Sequence, residues 1–350
     1  MITLPGLIDI HVHLRTPGQE EKEDFKTGTL AALAGGFTTV LDMPNNKIPI
    51  TTSPLLEEKI ELAKQNSVCD IGFYFGSLGD NLEEFTKVQG KVFGIKLYLN
   101  QTTGNFLIDE DKLRKIYEAW SSTQPILLHC EGETLPMALK VIRETKKKTH
   151  ICHVSSYEEL SMIIQAKSEG LPLTCGVTPH HLFLTEEDAK KLGPFGLMKP
   201  FLKTQEDQDF LWQNLDQIDV VESDHAPHTK MEKESDNPPF GVPGLETTLP
   251  LLLTAVTEGK LTIEDIKRLL FENPKRIFNV PTDETTYIEV DENEEYIIEN
   301  EDLKTKCGWS PFSGKKVFGK VKKVVLRGQV VYDMGQIVGN PQGKVIYPKI

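Results

Sequence analysis

The chain has 350 residues, 39% of them hydrophobic and 26% charged, enough for one large α/β domain with a small appendage or for two ordinary domains. Its net charge of −13 argues against general nucleic-acid binding, which needs a basic face to neutralise phosphates. An anionic substrate would have to enter a locally basic pocket.

The first predicted element is Leu7-Ile8-Asp9-Ile10-His11-Val12-His13-Leu14-Arg15. Alternate side chains of a strand share a face, so His11 and His13 are expected to point together, with Arg15 nearby if the strand continues. Two imidazoles alone do not make a metal site, which needs three or four protein ligands.

Short apolar runs then alternate with amphipathic stretches. Strands are expected over 7–12, 37–43, 70–75, 94–99, 125–129, 150–153, 173–177 and 218–223. Helices are expected over 21–34, 54–65, 109–120, 135–147, 157–168 and 205–215, with a short, weakly patterned link at 81–88. Eight β-then-α units over about 220 residues predict a (β/α)8 TIM barrel, the α/β architecture that usually takes about 250 residues. A doubly wound sheet is disfavoured because no G-x-G-x-x-G follows the first strand.

After the eighth strand come a loop at 228–243 and apolar helices at 245–257 and 263–271. Beyond Pro281 acidic residues cluster over 283–301, and residues 320–332 alternate like a strand pair turned at Arg327-Gly328. The expected organisation is a barrel over 1–281 and a small β-rich region over 282–350 packed on it.

Five cysteines, at 69, 130, 152, 175 and 307, show no C-x-x-C spacing and fit reduced thiols better than a disulfide framework. No apolar run approaches the roughly 18 residues of a membrane span, and no leader pattern opens the chain. A cytoplasmic protein without membrane partners is expected.

Polar residues collect at the C-terminal ends of the predicted strands, where barrel enzymes keep their chemistry: His11, His13, Lys96, His129, His153 and Asp224. Each has an ordinary explanation alone: a satisfied core histidine, a lysine snorkelling to the mouth or paired with a carboxylate, a turn aspartate. Six such groups at one end of one barrel favour a metal site. A desolvated lysine has a depressed pKa, and a neutral amine can add CO2 to become a carbamate able to bridge two metals. Cys130 and Cys152, each beside a histidine, are expected to face the covering helices.

Several blocks carry a resemblance: residues 11–18 (HVHLRTPG), Met43-Pro44-Asn45, residues 94–100 (GIKLYLN), residues 150–155 (HICHVS), residues 178–182 (TPHHL) and residues 223–228 (SDHAPH). Together they resemble the dihydroorotases of the amidohydrolase superfamily, over about residues 5–332. The 94–100 and 243–250 blocks are most similar to the dihydroorotase domain fused into the large pyrimidine-synthesis polypeptides of animals.

The resemblance implies two zinc ions, one held by His11, His13 and Asp224 and the other by His129 and His153, bridged by carboxylated Lys96. It implies that Arg15, Asn45 and His228 bind the substrate carboxylate, and that residues 100–106 form a closing loop with Thr102 or Thr103 at its tip. His180 and His181 would sit behind the ligands. It further implies reversible interconversion of dihydroorotate and N-carbamoyl-aspartate, with Asp224 as proton carrier, a homodimer, and association with an aspartate transcarbamoylase.

Two departures stand out. Lys199 occupies a place where an arginine is expected, keeping the charge but losing the planar fork. The chain also reaches its first barrel strand by Leu7 and is expected to lack the N-terminal sandwich strands of many superfamily members. The competing readings are another cyclic amidohydrolase, an allantoinase or hydantoinase, and an inactive dihydroorotase-like scaffold. Arg15 with Asn45 argues against the former, and the complete set of six ligands against the latter.

Overall fold

A computed structural model describes residues 1–101 and 107–349; Thr102 and Thr103 lie outside the described residues. Its centre is a ring of parallel strands: β2 (Leu7–Val12), β3 (Phe37–Asp42), β4 (Asp70–Phe73), β5 (Phe75–Gly76), β6 (Ile95–Tyr98), β7 (Ile126–His129), β8 (Thr149–Ile151), β9 (Leu173–Val177) and β10 (Val220–Val221). The third barrel strand is split at Tyr74, so that β4 pairs with β3 and β5 with β6. A parallel bridge between Val12 and His225 joins the last strand to the first, with the His13 N–H donating to the His225 carbonyl at 2.8 Å. The expected (β/α)8 barrel is the observed architecture.

Local chemistry explains where the covering helices begin. Asp24 caps Phe25–Ala34 and Ser156 caps Tyr157–Ser168, each in a capping box completed three residues later by Thr27 or Glu159. The helix Glu110–Ala119 starts where the Asp109 carboxylate accepts the Lys112 N–H.

Two apolar layers hold the barrel. The larger lies between strands and helices and includes Leu33, Val40, Ile95, Leu128, Ile142 and Leu160. The smaller fills the barrel interior with Ile8, Ile10, Leu41, Met43, Tyr74, Phe93, Leu127, Cys152, Val220, Phe278 and Val280. This plug is the floor beneath the polar cluster. The Tyr74 hydroxyl, buried within it, donates to the Ile10 carbonyl at 2.9 Å, as a buried phenol requires.

Ile2–Pro5 forms a strand, β1, which the sequence reading passed over. It pairs antiparallel with β11 (Tyr287–Ile297) in a sheet of order β1-β11-β12-β13-β14, with β12 at Lys316–Leu326, β13 at Gln329–Asp333 and β14 at Gln336–Ile337. An N-terminal contribution to the small sheet is therefore present. The acidic run within 283–301 is mainly strand: Ile288 and Val290 turn inward while the glutamates between and beyond them face outward or sideways. The helix Leu245–Thr257 is buried along most of its length and packs on β12 as well as on the first barrel helix. Near the C-terminus Val345 bridges to Ile71, and Arg327 grips Asp70 through both carboxylate oxygens. Among the described residues no helix is long and apolar enough to cross a membrane.

Candidate metal centre and active site

His11 and His13 share a face, as alternation predicts, but β2 ends at Val12. Arg15 sits in a left-handed turn at φ 63°. His153 (φ 39°) and Asp224 (φ 44°) also adopt left-handed backbones just past their strands. Non-glycine residues rarely do so, and such strain concentrates at functional sites. It also overturns one expectation. The turn at His153 breaks the strand alternation, so Cys152 and His153 both face inward and Cys152 lies in the barrel interior with its thiol beside Lys96, not against the helices. Cys130 packs in the outer layer.

The six expected residues meet at the barrel mouth. His13 Nε2 lies 3.0 Å from Asp224 Oδ1 and His11 Nε2 lies 3.3 Å from the same oxygen. His129 Nδ1 and His153 Nε2 are 3.0 Å apart. Lys96 is 1% exposed, so it does not snorkel; its Nζ is 3.1 Å from Cys152 Sγ and 5.2 Å from the Tyr98 ring centre. Among the described residues it has no carboxylate partner within ion-pair distance. Five of the six, with Arg15, Asn45, Tyr98, Lys199, Ala226, Phe240 and Gly241, line one cavity of about 40 Å³.

The donor set fits a cation. His13 Nδ1 meets Asn45 Oδ1 at 2.6 Å and His11 Nδ1 meets Glu222 Oε2 at 2.9 Å. With Nδ1–H donated in each ring, each Nε2 carries a lone pair, and both lone pairs face the Asp224 carboxylate. Burial pushes the pKa of His13 down to about 3 despite its contact with Asp224, so no ring proton separates them near neutral pH. Burial would raise the Asp224 pKa, but His11 and His13 hold it well below the usual carboxylate range. His129 and His153 are also shifted toward neutrality, chiefly by burial. Neutral imidazoles and a carboxylate converging at about 3.0–3.3 Å match two or three ligands of one ion held at about 2.0–2.2 Å. His11, His153 and Asp224 offer ligand atoms mutually within 4.8 Å.

The expected substrate residues surround this cluster. Arg15 donates Nε–H to the Pro227 carbonyl at 3.0 Å, and its Nη2 lies 3.1 Å from His228 Nε2. Lys199 Nζ sits 3.8 Å above the Phe201 ring, 5.6 Å from that of Phe240 and 3.9 Å from Glu131 Oε1. Asn45 bonds to His13 as well as lining the cavity. Its turn is anchored from below by Lys59, fully buried, which pairs with Asp42 at 2.7 Å and donates to the Met43 carbonyl and Asn46 Oδ1. Thr178 caps the short helix by accepting the His181 N–H, and the His181 ring meets the Thr178 hydroxyl and the Pro200 carbonyl, away from the cavity.

Sequence reasoning missed Glu222, Asp9 and Lys59, all buried. Asp9 accepts the backbone N–H groups of His11 and Ser223, and burial lifts its pKa to about 7. For Asp9, inside the apolar run 7–12, and Glu222, after Val220-Val221, the argument that singled out Lys96 applies; Lys59 lies in the charged stretch 57–61, which gave no such signal.

Residues 2–174 match the model described as the Amidohydrolase family. The multifunctional protein CAD of Squalus acanthias is 47% identical over 343 residues, spanning 97% of this chain. The chain spans only 15% of that protein's length. The dihydroorotase of Pyrococcus furiosus is 36% identical over 369 residues, 99% of this chain and 86% of that protein. Among solved structures, the inactive dihydroorotase-like domain of the Chaetomium thermophilum CAD-like multifunctional protein superposes with a TM-score of 0.85 at 28% identity, covering 99% of both chains. The chain belongs to the dihydroorotase family of the amidohydrolases.

Proposed function

We propose that this chain is a working dihydroorotase, interconverting dihydroorotate and N-carbamoyl-aspartate in pyrimidine biosynthesis. The observation that carries the reading is the convergence of His11, His13 and Asp224 on one side, and of His129 and His153 on the other, in a cavity that also presents Arg15. His11, His13 and Asp224 would hold one zinc, His129 and His153 the second, and Lys96 would bridge them as its carbamate. Bound there, the ions supply Lewis acidity and lower the pKa of water.

The chain's own residues do the rest. Asp224 takes the proton of the attacking water and delivers it to the departing ring nitrogen, as general base turned general acid; ring closure runs the same transfers backward. Arg15, with Asn45 and His228 beside it, fixes the substrate carboxylate by charge-assisted hydrogen bonds and so aims the ring amide at the reacting water. Lys199 contributes a second positive charge at the mouth. Thr102, outside the described residues, would add a contact to the substrate.

The inactive-scaffold reading has a relative of equal length behind it, but the complete ligand set here favours activity. The likeness to a segment of CAD supports association with a transcarbamoylase, and a homodimer in the cytoplasm completes the proposal. Metal analysis with assay tests it: about two zinc ions per chain are expected, and metal-free protein that still turned over dihydroorotate would refute it.

A further inference from the structure

Glu222 is fully buried directly beyond β10, beneath the metal-facing histidines. Its Oε2 accepts from His11 Nδ1 at 2.9 Å, its Oε1 accepts the backbone N–H of His153, and His150 Nε2 lies 3.9 Å from Oε2. His11 belongs to the first group of ligands and His153 to the second. One carboxylate thus touches both halves of the centre. Space for it comes from the neighbouring strand: a Cβ on Gly176 would lie 2.4 Å from Glu222 Oε1. The expected ligand set does not include Glu222.

We propose that Glu222 is the positioning residue that couples the two metal sites, fixing His11 in the Nδ1–H tautomer while holding the left-handed turn that aims His153. This rests on the metal reading of His11 and His153. The logic is one of donors and acceptors. A histidine whose Nδ1–H is committed to a carboxylate can offer only Nε2 to a metal, and such outer partners raise ligand basicity. The second oxygen ties the turn of His153 to the same anchor. A carboxylate accepts two N–H bonds at once, whereas an amide of the same shape has one acceptor and one donor. Glu222→Gln therefore cannot make both contacts with His11 in its Nδ1–H tautomer, and the anchor shared by the two sites is lost.

Two measurements test this. In metal-free wild-type protein, imidazole 15N NMR should show His11 protonated at Nδ1; protonation at Nε2 would overturn the proposal. In Glu222→Gln, titration of the metal-free protein with zinc against a chelator should show both sites weakened, by about 10–100-fold. In the zinc-loaded variant kcat should fall while KM stays within about twofold. Wild-type affinity in the variant would overturn the proposal, as would loss at one site only. So would a third equivalent of zinc lodged between Cys152 and Glu222, whose ligand atoms and those of His11 lie within 4.8 Å. Should Glu222→Gln not fold, the tautomer measurement on the wild type decides alone. Wild-type protein that took up no zinc would instead refute the metal reading, and the two failures stay distinct.

Discussion

Arg15 Nη2 lies 3.1 Å from His228 Nε2, joining the turn after the first barrel strand to the loop after the last. Both side chains are buried, and Pro227 accepts from Arg15 Nε, so the guanidinium is held in one orientation at the cavity wall. Burial lowers its pKa, against the pull of Asp224 and Asp42, yet arginine remains a cation at any physiological pH. The expected outcome for Arg15→Lys follows. Losing the planar fork should lower kcat/KM for dihydroorotate by about 10–100-fold, the worth of a charge-assisted hydrogen bond. Zinc content should be unchanged, as elemental analysis of the same sample will check.

Lys199 behaves differently because of its surroundings. Its ammonium lies over Phe201 and near Phe240, and a guanidinium would stack on such rings at least as well. Lys199→Arg is predicted to leave KM unchanged or to lower it, whereas Lys199→Met should raise it. A large rise in KM for the arginine variant would show that Lys199 has another role.

Lys96→Ala should cost at least about 100-fold in kcat and release one or both metals, since the carbamate proposed to join the two sites would be lost. Paired measurements of zinc content and turnover will check it. Wild-type turnover in the variant would exclude the carbamate.

Glu246 offers a pH prediction remote from the chemistry. It begins the long buried helix, accepts the N–H groups of Lys304 and Thr305, and burial raises its pKa from 4.5 to about 7. A folded value above the unfolded one means that the folded state holds the proton more tightly. The stabilisation is complete below about pH 4.5 and is lost as the pH rises through about 7. Glu246→Gln, neutral throughout, should therefore stabilise the protein by about 1–2 kcal/mol at pH 8, allowing for the partial exposure of the group, and by much less at pH 5. Urea unfolding at the two pH values measures the difference.

The barrel was legible because buried parallel strands read as apolar runs separated by amphipathic helices. The site was legible because each of its expected ligands lies within such a run or just past its end. Other features depended on geometry that one-dimensional patterns do not carry. The inward turn of Cys152 follows from a positive φ at His153, which a β-strand alternation rule cannot foresee. The break at Tyr74, where one strand changes partners, lies within an unbroken apolar stretch. β1 has four residues, with one fully buried, and its pairing with β11 joins residues nearly 300 positions apart, so local sequence gives no sign of it. Glu222 was hidden by its neighbour: the block at 223–228 drew attention to Asp224, while the carboxylate two positions earlier looked like a strand end.

The cavity around Arg15 and the two histidine groups is proposed to act on dihydroorotate. The most direct test is a side-by-side assay of the zinc-loaded protein on dihydroorotate, N-carbamoyl-aspartate, allantoin and hydantoin. Turnover of the first two in opposite directions, with little or none of the last two, is the predicted result. Preferential hydrolysis of hydantoin or allantoin, or no turnover of any of the four by protein that holds its zinc, would contradict it.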